Sequence, residues 1–140
     1  MTALAILART RAERSPALGQ ALLTLARGDS VRAAAQLAEA ATELPDAGAI
    51  LLATAGRLHA ARKDDTAAIG VWESVVSRYP DAPEAAEADL EWARALRRRG
   101  ANPEAVARLE HMILSYPQSA LVPQARRELE LARSGVPGAT

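Results

Sequence analysis

Arg94, Arg97 and Arg98 are the cations whose spacing could hold a ligand, because side chains three and four residues apart share one face of a helix. Guanidinium forks on one face can grip a carboxylate or an acidic peptide segment through paired, charge-assisted hydrogen bonds. Glu87 and Glu91 stand at helical spacing from the same arginines, so the competing reading is a solvated face whose charges pair among themselves. The run Arg97-Arg98-Arg99 also offers charge to phosphates. No aromatic residues interleave with it, however, and cations at the end of a helix are already explained by the helix dipole.

The remaining reactive side chains form no constellation. His59 and His111 are the only histidines, the chain has no cysteine, and neither histidine has metalloprotease-type spacing, which predicts no metal site. His111, next to Glu110, reads as a partly exposed interface residue. Trp72 falls on an apolar stripe and Trp92 shares a helical face with Ala85, Ala88 and Ala95. Both read as core residues rather than a cage for a cationic ligand. Ser15, Ser30, Ser74, Ser77, Ser115, Ser119 and Ser134 fall mostly near helix ends or turns, where capping explains them. Without a nucleophile beside a base, or a glycine-rich phosphate loop, the expectation is no catalytic residue, no cofactor and no enzyme.

The elements that carry these residues are set by composition. Of 140 residues, 49% are hydrophobic, but much of that is alanine, phenylalanine is absent and aromatics make up 3%. Strands favour aromatic and β-branched residues, so the chain reads as all-α, with helices approaching closely across small side chains. Seventeen basic residues balance seventeen acidic ones, leaving no net field to attract a nucleic acid. No apolar stretch approaches the ~20 residues of a transmembrane helix, and the start lacks a basic leader followed by an apolar run. The absence of cysteine fits the cytoplasm and the periplasm equally.

An internal repeat organises the chain. The segments Gly28 to Pro45, Lys63 to Pro80 and Gly100 to Pro117 superimpose, their closing prolines lying 35 (45 to 80) and 37 (80 to 117) residues apart. Ala33, Ala68 and Ala105 coincide, as do Leu37, Trp72 and Leu109, and Ala40, Val75 and Met112. These places are i, i+4 and i+7, one helical stripe. Ser30, Asp65 and Asn102 coincide as expected N-caps, and Leu44, Tyr79 and Tyr116 stand before the prolines that stop each second helix. Partner helices are expected at about 16–27, 47–62, 83–99 and 119–133, the third longer than its predecessors. Ala21, Gly56 and Ala93 mark the closest approach within each hairpin. Thr2 to Arg14 reads as a further helix lacking an upstream partner, as though cut from a longer array, and 135–140 as a frayed tail.

Gly28, Ala33, Leu37, Ala40 and Pro45, with Ala68, Trp72, Val75 and Pro80, and Gly100, Ala105, Leu109, Met112 and Pro117, resemble the tetratricopeptide repeat family over roughly residues 16–133. Lys63 departs from the family's glycine, and Ala17 with Thr24 replace the aromatics often found in a first helix. The family's peptide-carboxylate clamp of lysines and asparagines is not visible. A narrower likeness lies in the Tyr-Pro turns followed by alanine-bearing helices, which resemble repeats of bacterial cell-envelope proteins such as the Tol-Pal coordinator CpoB and the outer-membrane assembly lipoprotein BamD. That likeness implies a bacterial, often periplasmic, adaptor.

The expectation is a right-handed α-solenoid of about three tandem antiparallel hairpins plus flanking helices. It forms one repeat domain over residues 1–134, with units at 16–45, 47–80 and 83–117. Stacked repeats line a curved surface with their first helices. Arg57, Leu90, Arg94, Arg97 and Arg98 are the residues expected to contact a protein or peptide partner there. The alternatives are a homo-oligomer built through the terminal helices, where the apolar stretch Leu4 to Leu7 would contribute, and a regulatory or docking domain of a longer protein.

Overall fold

The computed structural model describes residues 15–135, and every regular element among them is helical. In order these are α1 (Pro16–Ala26), α2 (Ser30–Glu43), a 3-10 turn (Pro45–Ala47), α3 (Gly48–Ala61), α4 (Asp65–Arg78), α5 (Pro83–Arg98), α6 (Asn102–Ser115) and α7 (Val122–Ser134). The expected helix at Thr2 to Arg14, with its stretch Leu4 to Leu7, and the tail beyond Gly135 lie outside the described residues. The extra length of the third partner helix is present: α5 has 16 residues where α3 has 14. That difference accounts for the change in proline spacing from 35 to 37.

The turns within hairpins share one construction. Gly28 and Gly100 take φ of 82° and 80°, and Lys63 takes 61° in place of glycine. Around each, two amides fold back onto the preceding helix. Gly28 N–H donates to Leu25 O and Asp29 N–H to Thr24 O; Lys63 donates to Ala60 and Asp64 to His59; Gly100 donates to Arg97 and Ala101 to Leu96. This left-handed cap satisfies carbonyls that the helix end would otherwise leave without partners.

Only one residue then separates the cap from the next helix, and that residue opens it. Asp29 accepts from Arg32 N–H at 3.1 Å, and Asp64 from Ala67 N–H at 3.2 Å. Ala101 holds the same place in the third turn and has no side chain to accept. The expected caps Ser30, Asp65 and Asn102 therefore sit one residue too late, as the first residues of their helices. The left-handed residue consumes one position of the link, which moves the cap earlier.

Second helices close as the prolines require. Leu44, Tyr79 and Tyr116 each donate their amide four residues back at 2.9 Å, and a bonded turn follows from Ala47 to Leu44, Ala82 to Tyr79 and Ser119 to Tyr116. Pro83 begins α5 directly, whereas Ala120 and Leu121 intervene before α7.

Contacts divide the chain, read from sequence as one repeat domain, into two compact units, Met1–Val71 and Trp72–Thr140, with the division inside α4. In the first, α2 packs on both α1 and α3, burying Leu18, Ala21, Ala33, Leu37, Ala40 and Leu51. In the second, α6 packs on both α5 and α7 around Leu90, Ala93, Ala105, Leu109, Met112, Ala125 and Leu129. The three-residue links force neighbouring helices to run antiparallel. All nine stripe residues, from Ala33 to Met112, are buried, as are Ala21, Gly56 and Ala93.

Candidate functional site

The second unit brings the first helix of one hairpin, α5, beside α7, and polar side chains join them. Arg94 Nη1 donates to Glu91 Oε1 at 2.6 Å on its own helix, Nη2 to Gln124 Oε1 at 3.1 Å on α7, and Nε to Glu128 Oε1 at 3.4 Å. Arg97 Nε donates to the other oxygen, Glu128 Oε2, at 2.8 Å. The Glu128 side chain is 13% exposed, and each of its oxygens is held by a different guanidinium. Withdrawal from water strengthens these bonds, and two cations on one carboxylate fix its rotamer.

The residues singled out from sequence separate into three groups. Arg94 and Arg97 do converge on one face, with Glu91 pairing to Arg94 at helical spacing. Arg98 is exposed beside them, while Arg57 is exposed on α3 in the other unit. Leu90 is corrected. It is 1% exposed and lies in the core with Leu109 and Met112, because its place on α5 points at α6 and α7 and not at solvent.

Gln124 and Glu128 escaped sequence reasoning, because their partners lie on another helix. Glu128 follows Arg94 by 34 residues. That interval is shorter than the 39-residue offset between the starts of α5 and α7 (83 to 122), so the two are not equivalent positions and meet only because the helices pack together.

A second polar cluster was missed altogether. Asp89 on α5 is fully buried, accepts from Arg108 Nη1 at 3.1 Å and is bonded through Oδ2 to His111 Nδ1 at 2.5 Å, both from α6. Arg108 lies over the ring of half-buried Trp92, 4.4 Å from its centroid, so the cation that Trp92 meets is internal. Burial raises the Asp89 carboxyl above its ordinary 3.8, with His111 and Arg108 pulling against the rise. Asp89 falls four residues after buried Ala85 and four before buried Ala93. A carboxylate on an alanine stripe is the sequence signature of a buried, partnered acid.

Among the described residues no group of three or more histidine, cysteine or acidic side chains could hold a metal ion, and no helix is long and apolar enough to cross a membrane.

A sequence model described as tetratricopeptide repeat matches residues 54–82. The matched stretch runs from the middle of α3 through the Lys63 turn and α4 to the end of the Tyr-Pro turn, and it supports assignment of this hairpin pattern to the tetratricopeptide repeat family. No curated protein matches the chain. Repeats of this family generally mediate protein–protein interaction, and their all-helical fold is typically non-enzymatic.

Proposed function

We propose that this protein is an interaction module in which the shared face of α5 and α7 receives a segment of a protein partner. The arrangement of Arg94 and Arg97 about Glu128 carries the reading. Guanidiniums already fixed by internal carboxylates lose little freedom when they bind again, so their contacts with a partner are preorganised. Arg97 is engaged through Nε, and its two terminal nitrogens supply four N–H donors for a carboxylate or carbonyl of the partner. Arg98 extends the face by one exposed position. Two arginines facing Glu91 and Glu128 leave the array without net charge, so hydrogen-bond geometry outweighs long-range attraction in selecting the segment.

The test is affinity capture with the unaltered chain and with R97E and R94E variants, compared by mass spectrometry. Loss of the same bound proteins from both variants, with helicity unchanged, supports the reading. An identical captured set from all three chains overturns it. The Tyr79-Pro80 and Tyr116-Pro117 turns support the narrower proposal that the partner belongs to the bacterial envelope. Recovery of the native protein solely from the cytoplasmic fraction overturns that part.

A further inference from the structure

Buried Asp89 holds a histidine in a single pose. It takes Arg108 Nη1 on one carboxylate oxygen at 3.1 Å and His111 Nδ1 on the other at 2.5 Å, so guanidinium and imidazole stand side by side on α6. Trp92 sets the guanidinium, whose carbon lies 4.4 Å from the ring centroid, and Tyr116 braces the imidazole edge to face. Tyr116 is itself fixed, its hydroxyl donating to Pro80 O at 2.8 Å across the cleft of about 600 Å³ between the two Tyr-Pro turns.

What remains free is the outer side of each group. The His111 side chain is 37% exposed and that of Arg108 26%, and among the described residues neither His111 Nε2 nor Arg108 Nη2 has a hydrogen-bond partner. A carboxylate accepts, so the bond to Asp89 places the proton on Nδ1 and leaves the lone pair on Nε2, the nitrogen facing away from Asp89. A buried negative charge behind the pair is wrong for a reversible anion site. It is right for a nucleophile, because the positive charge that develops on the ring as Nε2 attacks is matched by Asp89. Arg108, three residues before His111, brings unused N–H donors for the oxygens of a transferred dianion. His59, whose buried Nδ1 has no hydrogen-bond partner, lacks this arrangement.

We infer that His111 Nε2 accepts a phosphoryl group from a donor of high transfer potential, of the acyl-phosphate class. The Nε2–P bond forms as the P–O bond to the donor breaks, and the donor leaves as a carboxylate with the electron pair. The Nδ1 proton stays shared with Asp89 or passes to solvent. The site lies where α5 meets α6 and stands independently of partner binding on the α5–α7 face.

The test treats the full chain with potassium phosphoramidate, which gives up its phosphoryl group as ammonia leaves. Mass spectrometry follows each histidine, and phosphorus NMR identifies the ring nitrogen modified. His111 is expected to react at Nε2 and roughly tenfold faster in the folded chain than in urea, the low end of what a carboxylate behind a histidine contributes at metal sites. His59 is expected to show no such gain. D89N is expected to remove the acceleration, and R108Q to slow the transfer while nitrogen NMR still shows the proton on Nδ1. Phosphate on His111 Nδ1, an imidazole protonated on Nε2 alone in the unaltered chain, an equal gain at His59, or a folded His111 no faster than in urea overturns the inference. So does a folded D89N chain that keeps the full rate. Should D89N fail to fold, the readings on the unaltered chain decide.

Discussion

The α1–α2 hairpin of the first unit and the three helices α5–α7 of the second are built on the same repeat but held together differently. In the first, Leu18, Ala21, Leu37 and Ala40 meet across an interface of small and branched apolar groups, and its polar link is Ser15, which accepts from Leu18 N–H at 3.1 Å and donates to Glu43 Oε2 at 2.6 Å. In the second, the apolar core is flanked by Asp89 with Arg108 and His111, by Glu128 with Arg94 and Arg97, and by a peripheral Arg133–Glu110 pair at 3.3 Å. Alanine contacts let helices approach but barely discriminate one register from another. Directional bonds to a buried carboxylate tolerate little sliding, so Asp89 and Glu128 add register specificity to the apolar packing of the second unit.

The largest effect that would break this comparison comes from the shared apolar core. Truncating Leu37 or Leu109 to alanine is expected to cost about 2–5 kcal/mol in either unit, since both leave a cavity at equivalent stripe positions. Urea melts with amide exchange resolved by helix would check this, and a cost confined to one unit would show that the repeats are not equivalent in their cores.

Next in size is Asp89. Replacing it with alanine is expected to destabilise α5 and α6 by about 2 kcal/mol, because Arg108 and His111 lose a buried acceptor but retain access to water. The pH dependence sharpens the point. Folding raises the Asp89 value above 3.8, so the folded state holds this proton more firmly than the unfolded chain. Its contribution favours folding most at low pH and declines as pH rises from the ordinary value through the raised one. The D89N variant is expected to flatten that part of a stability–pH profile, and an unchanged slope would remove Asp89 as its source.

In the first unit, S15A is expected to cost roughly 1–2 kcal/mol through loss of a helix cap and its tie to Glu43, with exchange rising at the start of α1. The smallest effect concerns the hairpin turns. K63G is expected to stabilise the chain by about 1 kcal/mol by relieving a left-handed conformation at a side-chain-bearing residue, and G100K to reverse that gain at the equivalent turn. A thermal melt of each would register both signs.

The helical hairpins were legible because each signal is local. Proline at 45, 80 and 117 ends a helix by its own ring, and apolar residues at i, i+4 and i+7 must share a face whatever lies opposite. The caps were misplaced by one residue because Gly28, Lys63 and Gly100 close one helix and position the next at once, a coupling that residue preferences taken singly do not express. Leu90 was misassigned for a related reason. Helical spacing groups residues by face but does not say which face a neighbour covers.

By itself, then, the sequence determined that this protein is all-α, where its helices begin and end to within a few residues, and which stripes are buried, since these follow from backbone geometry and apolar period. The tertiary structure alone decided which charges meet between helices. Arg94 finds Glu128 34 residues further on, buried Asp89 is met by half-buried Arg108 and His111, and two distant Tyr-Pro turns enclose one cleft. Those pairings depend on how far each helix is rotated and shifted against the next, and that is settled by packing in three dimensions, not by spacing along the chain.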